Sequence, residues 1–375
     1  MAKIKVLMVL GNTGRGGAQT FAVNVLRLID RDKFQVDFVV NEIYENGYAD
    51  EIKGYGSKIY TIPYFRIYNW PVYSAAWKKL LTSEHYDIVH GHVSSSASIY
   101  LDIARKYGCA TIAHSHSAGY RGNKALQGIK KIFTVGAKSK ADYWFGCSDL
   151  AAQRMFGNDY VKYKNYYDMP NAVVVKNYLY NEEKRKSVRA FLDVSDDTPL
   201  YGHVGSFTAA KNHEFLFDVF AEILKIEPHA KFVLAGDGEL RSKIEESIRS
   251  RGLSEKVQLA GNVGNVNEYF MAMDAMIFPS FFEGFPVTAL EAQATGLKTL
   301  ISDTITKEIF LTDCAISMSL KQSPAVWARK AVGSKSTDRK RYNLPISESK
   351  YNMENSVTLI MRLYQEMYDG MKQDG

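Results

Sequence analysis

Two carboxylates in one short stretch of this chain have the types and spacing best suited to chemistry. Glu283 opens the sequence Glu-Gly-Phe-Pro-Val, and Glu291 follows it after seven intervening residues. An apolar run that ends at Pro279 predicts a strand, and the residues from Pro286 onward predict a helix. We therefore expect one carboxylate at the mouth of a strand-to-helix turn. The other should lie about a turn and a half inside the helix.

Backbone amides of the same turn should form an anion-binding site beside the carboxylates. Amides at a helix N-terminus favour negative charge, and we expect those of Gly284, Phe285 and Val287 to face one space. Pro286 suits the first helical position, where its missing N–H is not needed. Carboxylates beside such amides suit a ligand that carries both hydroxyl groups and phosphate, and a nucleotide-sugar is one such ligand.

A lysine follows the first predicted strand of the second half of the chain. Lys211 comes directly after the segment Gly-Ser-Phe-Thr-Ala-Ala. A single lysine is by default a solvated surface side chain. However, loops that follow different parallel strands meet at one edge of a sheet. Lys211 could therefore lie beside Glu283 and Glu291 and supply positive charge for a phosphate.

Two pairs of histidines end neighbouring predicted strands of the first half. The pairs are His90 with His92 and His114 with His116. Alternation along a strand puts both members of a pair on the same side. Four imidazoles could bind a metal, but no cysteine or acidic cluster accompanies them, and we predict no metal site. Histidines that hydrogen-bond a sugar are favoured, with at least two of the four as structural histidines.

A glycine-rich loop, residues 11–17, follows the first predicted strand and opens a helix. Glycines let backbone amides approach a phosphate or a sugar closely, although a purely structural turn is an alternative. A nicotinamide or flavin site is not favoured. The second predicted strand ends in Val39-Val40-Asn41, without an acidic residue to hold a ribose.

Composition and length indicate a globular protein of two domains. The chain has 375 residues, of which 46% are hydrophobic and 23% charged. It has no apolar run of about 18 residues, so we expect no transmembrane helix. The short apolar run at the N-terminus predicts a buried strand rather than a signal peptide. Three scattered cysteines indicate neither a disulfide framework nor a metal cluster, and we expect a cytoplasmic protein.

Strand-like and helix-like runs alternate along the chain, which predicts an α/β fold with parallel sheets. The predicted strands are residues 5–10, 35–40, 58–63, 87–91, 109–114 and 143–147, then 200–205, 231–236, 256–261, 275–279 and 299–302. The pattern weakens around residues 163–197, where we place a domain boundary. We predict a Rossmann-like acceptor domain over residues 1–178 and a Rossmann-like donor domain over residues 179–351. A last helix, about residues 352–371, could pack back on the first domain.

The expected ligand site lies in the cleft between the two domains, because ligands bind such sheets at the carboxyl ends of their strands. The net charge of +6 is modest. A basic and aromatic segment over residues 120–144 and an aromatic one over residues 64–73 could lie in a lipid interface at the inner face of the cell membrane. An ordinary amphipathic helix with a solvated basic face is the alternative. No nucleic-acid module is present, and we expect no nucleic-acid partner.

Together these motifs resemble the retaining family 4 of the GT-B glycosyltransferases, glycosyl transferases group 1, and in particular those of capsule and exopolysaccharide synthesis. The resemblance covers most of the chain and is strongest over residues 200–303. Glu283 and Glu291 resemble the E-x7-E motif of the family. The other matching stretches are Gly16-Gly17, Pro170-Asn171-Ala172 and Lys211-Asn212-His213.

The resemblance implies a metal-independent hexosyltransferase that needs no cofactor besides its nucleotide-sugar substrate, which we expect to be UDP-linked. Glu291 would bind the ribose hydroxyls, Lys211 the diphosphate, and Glu283 the donor sugar. His116 would approach that sugar from the other domain, with His114 in reserve. The implied catalytic residues are His116, Lys211 and Glu283. The other implied donor-binding residues are Gly16, Gly17, Ser206, Asn262, Val263, Gly284, Phe285, Pro286, Val287 and Glu291.

Two positions depart from the family pattern. Ser206 stands where the family often has a second phosphate-binding cation, so Lys211, backbone amides or Arg15 would carry that charge. Lys298 stands where proline is common. The transferred unit would be a hexosyl or N-acetylhexosaminyl group and the acceptor a glycan or a lipid-linked glycan. A UDP-sugar 2-epimerase of the same fold and a non-catalytic GT-B partner subunit are the alternatives.

Overall fold

The computed structural model describes residues 2–116, 133–283, 285–332 and 339–373. The chain divides into two compact units. The first unit comprises Met1–Ala172 and Met353–Gly375, and the second unit comprises Val173–Asn352. The boundary predicted from the sequence, after residue 178, lies slightly later than this division between Ala172 and Val173. The second unit begins earlier because Val173 and Val175 pack in its core.

The first unit contains a parallel sheet of seven strands in the order β3-β2-β1-β4-β5-β6-β7. The strands are β1 (Ile4–Val9), β2 (Phe34–Val40), β3 (Ile59–Thr61), β4 (Ile88–Gly91), β5 (Ala110–Ser115), β6 (Tyr143–Gly146) and β7 (Tyr166–Asp168). The sequence analysis predicted the first six. It missed β7, a three-residue edge strand with no buried residue, because such a strand leaves no alternation to detect.

The second unit contains a parallel sheet of six strands in the order β10-β9-β8-β11-β12-β13. The strands are β8 (Leu200–Val204), β9 (Lys231–Ala235), β10 (Val257–Gly261), β11 (Ala275–Phe278), β12 (Lys298–Ser302) and β13 (Ala315–Met318). Only β13 was missed. It is an edge strand with a single fully buried residue, so its apolar pattern is weak. The predicted α/β fold with two parallel sheets is confirmed.

Helices connect these strands in both units. The α-helices of the first part of the chain are α1 (Gly17–Leu28), α2 (Ala49–Gly54), α3 (Trp70–Ser83), α4 (Ala97–Lys106) and α5 (Asp149–Phe156). Those that follow are α6 (Glu182–Phe191), α7 (His213–Ile226), α8 (Arg241–Ser250), α9 (Val266–Ala272), α10 (Val287–Ala294), α11 (Pro324–Ala331), α12 (Asn343–Ser347) and α13 (Met353–Gln373). Of the described helices, none is long and apolar enough to cross a membrane.

The C-terminal helix α13 packs on the first unit, against α1 and the strands β1, β4 and β5. Its buried residues Val357, Ile360, Leu363 and Tyr364 recur every three or four positions and form one apolar face. This face brings a phenol from the end of the chain to a strand near its beginning.

Candidate active site

Lys211 and Glu283 form an ion pair at the carboxyl edge of the second sheet. Lys211 ends the 3-10 turn Ala209–Lys211 after β8, and Glu283 lies in the loop after β11. The Lys211 Nζ lies 2.6 Å from the Glu283 Oε1, and the two side chains are only 12% and 16% exposed. Residues 72 positions apart thus meet because β8 and β11 are neighbouring parallel strands. A mostly buried cation and anion are held in direct contact here.

Two hydrogen bonds hold the loops of this ion pair together. Asn212, which precedes α7, has a left-handed conformation with φ of 56°, which asparagine tolerates better than most residues. Its Nδ2 donates to the carbonyl oxygen of Pro279 at 3.2 Å. The Phe281 N–H donates to the carbonyl oxygen of Ala210 at 2.8 Å. The loop after β8 is therefore bonded to the loop after β11 on both sides of Lys211.

A buried histidine lies under Lys211, and sequence reasoning missed it. His203 on β8 is fully buried, and its Nδ1 donates to the carbonyl oxygen of Ile277 at 2.9 Å. Since that carbonyl can only accept, the lone pair of neutral His203 is on Nε2. Burial, then His213 and Lys211, hold the pKa of His203 well below its usual value. A histidine within an otherwise apolar strand was the available signal.

Gly205 leaves a small space between His203 and Lys211. A Cβ at this position would lie 3.1 Å from the His203 Nε2 and 3.4 Å from the Lys211 Nζ. Among the described residues, the His203 Nε2 has no hydrogen-bond partner. The space is thus bordered by a hydrogen-bond acceptor and a cation. A side chain at residue 205 would press on both, so the space favours glycine.

Glu291 has a different partner from Glu283. It lies on α10, partly buried, and its Oε1 accepts from the hydroxyl of Tyr178 at 2.6 Å. Burial raises the pKa of Glu291 to about 7, although the hydrogen bond from Tyr178 acts in the opposite direction. The carboxyl group therefore titrates near neutral pH. Tyr178 was not a sequence candidate, since nothing in its own segment marks it.

The turn before α10 differs from the sequence-based expectation. The helix begins at Val287, and Pro286 is its N-cap rather than its first residue. The Val287 N–H donates to the carbonyl oxygen of Phe285 at 3.0 Å, so this amide is engaged within the turn instead of facing a ligand. The Phe285 ring stacks on Tyr351 at 5.0 Å. Gly284 lies outside the described residues.

The other expected donor residues of the second unit follow strands of the same sheet. Ser206 after β8 and Asn262 after β10 are exposed, while Val263 is partly buried against the core of the unit. Lys298 is instead the first residue of β12, at the opposite edge of the sheet. Its Nζ donates to main-chain carbonyls at the end of α11, including that of Ala331 at 3.3 Å. Lys298 therefore does not belong to the Lys211 site.

Tyr364 and three other groups form a hydrogen-bond chain in the first unit. The Tyr364 hydroxyl lies 2.7 Å from the His90 Nδ1, and the His90 Nε2 lies 3.2 Å from the His114 Nδ1. The His114 Nε2 lies 3.4 Å from the carbonyl oxygen of Met169. Because this carbonyl only accepts, His114 donates to Met169, His90 donates to His114, and Tyr364 donates to His90.

His116 belongs to the same cluster. Its Nε2 lies 2.7 Å from the His92 Nδ1, and its ring stacks on that of His114 with the centroids 4.0 Å apart. Burial lowers the pKa values of His90 and His116 to about 3, so both are neutral at pH 7. One ring nitrogen of each of His90, His92 and His114 lies within 4.8 Å of the others. Protein partners already occupy both nitrogens of His90 and His114, which favours a structural role for these two.

The glycine pair at the start of α1 lies within the first unit. Gly16 is the N-cap of α1 and has an extended backbone. A Cβ on Gly17 would lie 3.6 Å from the Asn171 Nδ2, an ordinary contact distance. The Arg15 guanidinium lies 5.0 Å from the ring centre of Tyr48, and its Nε donates to a main-chain oxygen in the same unit. Arg15 is thus held by residues of its own unit.

Two parallel sheets, the second with a lysine–carboxylate pair at its carboxyl edge, define an α/β protein of the GT-B class. The model of the family "Glycosyltransferase Family 4" matches residues 15–159, and that of "Glycosyl transferases group 1" matches residues 184–308. The two models match successive parts of the chain, which belongs to the glycosyltransferases of group 1/family 4.

Relatives extend this result over nearly the whole chain. EpsF of Bacillus subtilis (strain 168), named as a glycosyltransferase, is 26% identical over 373 residues, which is 96% of both chains. An Escherichia coli enzyme named UDP-Gal:alpha-D-GlcNAc-diphosphoundecaprenol alpha-1,3-galactosyltransferase is 25% identical over 231 residues, 60% of both chains. The structure of Anabaena Alr3699/HepE in complex with UDP covers 97% of this chain, and the match spans 100% of that one. Its TM-score is 0.78 and its identity 13%, so it supports the fold alone.

Proposed function

We propose that this protein is a retaining glycosyltransferase that moves a hexosyl or N-acetylhexosaminyl unit from a UDP-sugar to a glycan or lipid-linked acceptor in bacterial surface polysaccharide synthesis. The observation that carries the proposal is the mostly buried ion pair of Lys211 and Glu283 at the carboxyl edge of the second sheet. The Escherichia coli relative is named for a UDP-galactose donor and a lipid-linked acceptor, which supports the choice of donor and acceptor.

The two members of the ion pair would contact different parts of the donor when it binds. Lys211 carries three N–H donors and uses one for Glu283. The others can reach a diphosphate oxygen, where negative charge develops as the sugar leaves with oxocarbenium character. Glu283 would accept from sugar hydroxyls, and Glu291, already bonded to Tyr178, would accept from the ribose. The pair thus holds a cation and an acceptor in place before the donor arrives.

The remaining steps are inferred from the chemistry. Among the residues that the structure describes, we identify no enzymic nucleophile beside the ion pair, so retention would follow from attack of the acceptor hydroxyl on the face the diphosphate leaves. The leaving phosphate would take the proton of that hydroxyl. We infer that no metal is required, because Lys211 supplies the positive charge. His116 is proposed as the contribution of the first unit.

Calorimetry of the purified protein with UDP, GDP and ADP tests the donor site. We expect UDP to bind most tightly, and Lys211→Ala to weaken its binding by about tenfold to a hundredfold, since a hydrogen bond to a charged group contributes about 1.5–3 kcal/mol. Lys243→Ala, an exposed lysine on α8, is the matched control. Selectivity for GDP, or equal effects of the two variants, would contradict the proposal.

A transfer assay separates binding from catalysis. We expect Lys211→Ala and Glu283→Ala to lose most transferase activity, and His116→Ala to lose transfer while it retains UDP binding. A donor incubated without acceptor should remain unchanged apart from slow hydrolysis. Conversion of that donor into its 2-epimer would instead identify an epimerase.

A further inference from the structure

A groove of about 740 Å³ runs between helices α3 and α4 of the first unit. Trp70 and Lys78 line it from α3, eight residues apart and therefore about 12 Å along the helix axis. Both helices return between parallel strands and so run in the same direction. Lys78 and Lys106 therefore lie towards one end of the groove, and Trp70 lies at the other.

The lysine end of the groove carries an excess of positive charge. Lys106 and Lys140 lie 2.6 Å and 2.8 Å from the two carboxylate oxygens of Asp102. No carboxylate within the described part of the chain pairs with Lys78, which is exposed. Lys106 and Lys140 thus share one carboxylate, and Lys78 adds a third ammonium group. This end of the groove suits a phosphate.

The aromatic end continues into an exposed apolar run. Tyr68 is 81% exposed and Val72 is 60% exposed, and Tyr64, Ile67 and Trp70 are also exposed. Single exposed apolar residues are common, but five within nine positions mark an interaction site. Phe65 packs against the buried Tyr73 with ring centroids 5.3 Å apart, which anchors the run to the first unit.

We propose that this groove and the exposed run 64–72, together the α3 surface, dock the first unit on the anionic face of a lipid bilayer. Tyr68, Trp70 and Val72 enter the interface, where amphipathic aromatic rings are stable. Phosphates of anionic phospholipid headgroups contact Lys78, Lys106 and Lys140. The separation of rings from cations along one groove favours a lipid over a protein partner. The inference rests on the proposed function, because a lipid-linked acceptor would be reached at a membrane.

Vesicle sedimentation of the full chain tests the α3 surface without any transfer reaction. We expect binding to phosphatidylcholine vesicles that contain phosphatidylglycerol, weaker binding at high salt, and little binding to phosphatidylcholine alone. Lys78→Gln with Lys106→Gln should weaken binding about thirtyfold, at about 1 kcal/mol for each lysine near an anionic surface. Tyr68→Ser with Val72→Ser should weaken it as well.

Matched variants control for charge and hydrophobicity. Lys186→Gln with Lys243→Gln removes two exposed charges from the second unit, and Phe191→Ser removes a ring that is 77% exposed there. Equal losses in these controls, equal binding to both vesicle types, or no binding would overturn the inference.

UDP is titrated separately without vesicles. A protein that binds UDP but not vesicles refutes only the α3 surface, and one that binds vesicles but no nucleotide refutes the donor site instead.

Discussion

Replacement of Glu291 by glutamine should change how the stability of the second unit depends on pH. Burial raises the pKa of this carboxyl group from 4.5 to about 7 in the folded protein. The stability contributed by neutral Glu291 is therefore present below pH 4.5 and is lost as the pH rises to about 7. Glutamine cannot ionise, yet its amide oxygen can still accept from Tyr178. The variant should therefore escape this loss.

The size of the effect follows from the shift. About 2.5 pKa units correspond to about 3.4 kcal/mol, and screening by solvent at a partly exposed side chain reduces this to about 2 kcal/mol. Glu291→Gln should thus gain about 2 kcal/mol on wild type between pH 4.5 and pH 7.5. For a unit the size of Val173–Asn352 this is about 4–8 °C in Tm.

Thermal unfolding of both proteins at several pH values between 4.5 and 8 measures this difference. Glu239→Gln, an exposed carboxylate of the same unit, should show no such trend. A difference between Glu291→Gln and wild type that stays constant across the range would refute the argument. It would mean that the carboxyl group ionises in the folded protein as it does in the unfolded chain.

Two further substitutions test the packing around the proposed site. Gly205→Ala should leave the Tm nearly unchanged but weaken UDP binding in calorimetry, because the new methyl group displaces the flexible end of Lys211. The control Gly264→Ala, with nothing within 4 Å of its Cβ, should change neither the Tm nor the UDP affinity. Unaltered UDP affinity in Gly205→Ala would contradict the geometry. Tyr364→Phe should lower the free energy of unfolding of the first unit by about 1–3 kcal/mol, because the buried His90 Nδ1 loses its hydrogen-bond donor. Urea unfolding measures this loss. A urea midpoint equal to that of the wild type would argue against the hydrogen-bond chain.

The fold class and one side of the candidate site follow from local sequence patterns. Alternating strand and helix patterns predict parallel sheets, and parallel sheets bring their carboxyl ends to one edge. Lys211 and Glu283 could therefore be expected to meet although 72 positions separate them. The short edge strands β7 and β13 escaped detection because a few half-exposed residues carry no periodic signal.

The electrostatic state of the site could be read only from the tertiary structure. The residues around Glu291 in the sequence do not show that Tyr178 donates a hydrogen bond to its carboxylate or that burial raises its pKa. The tautomers of His90 and His114 depend on a carbonyl and a phenol that come from distant segments.

The sequence by itself therefore determined which residue types meet at the carboxyl edge of each sheet, because strand order and direction follow from periodic patterns. Only the tertiary structure decided which of these residues are buried, paired or protonated. Desolvation and hydrogen bonding depend on neighbours that no local pattern encodes.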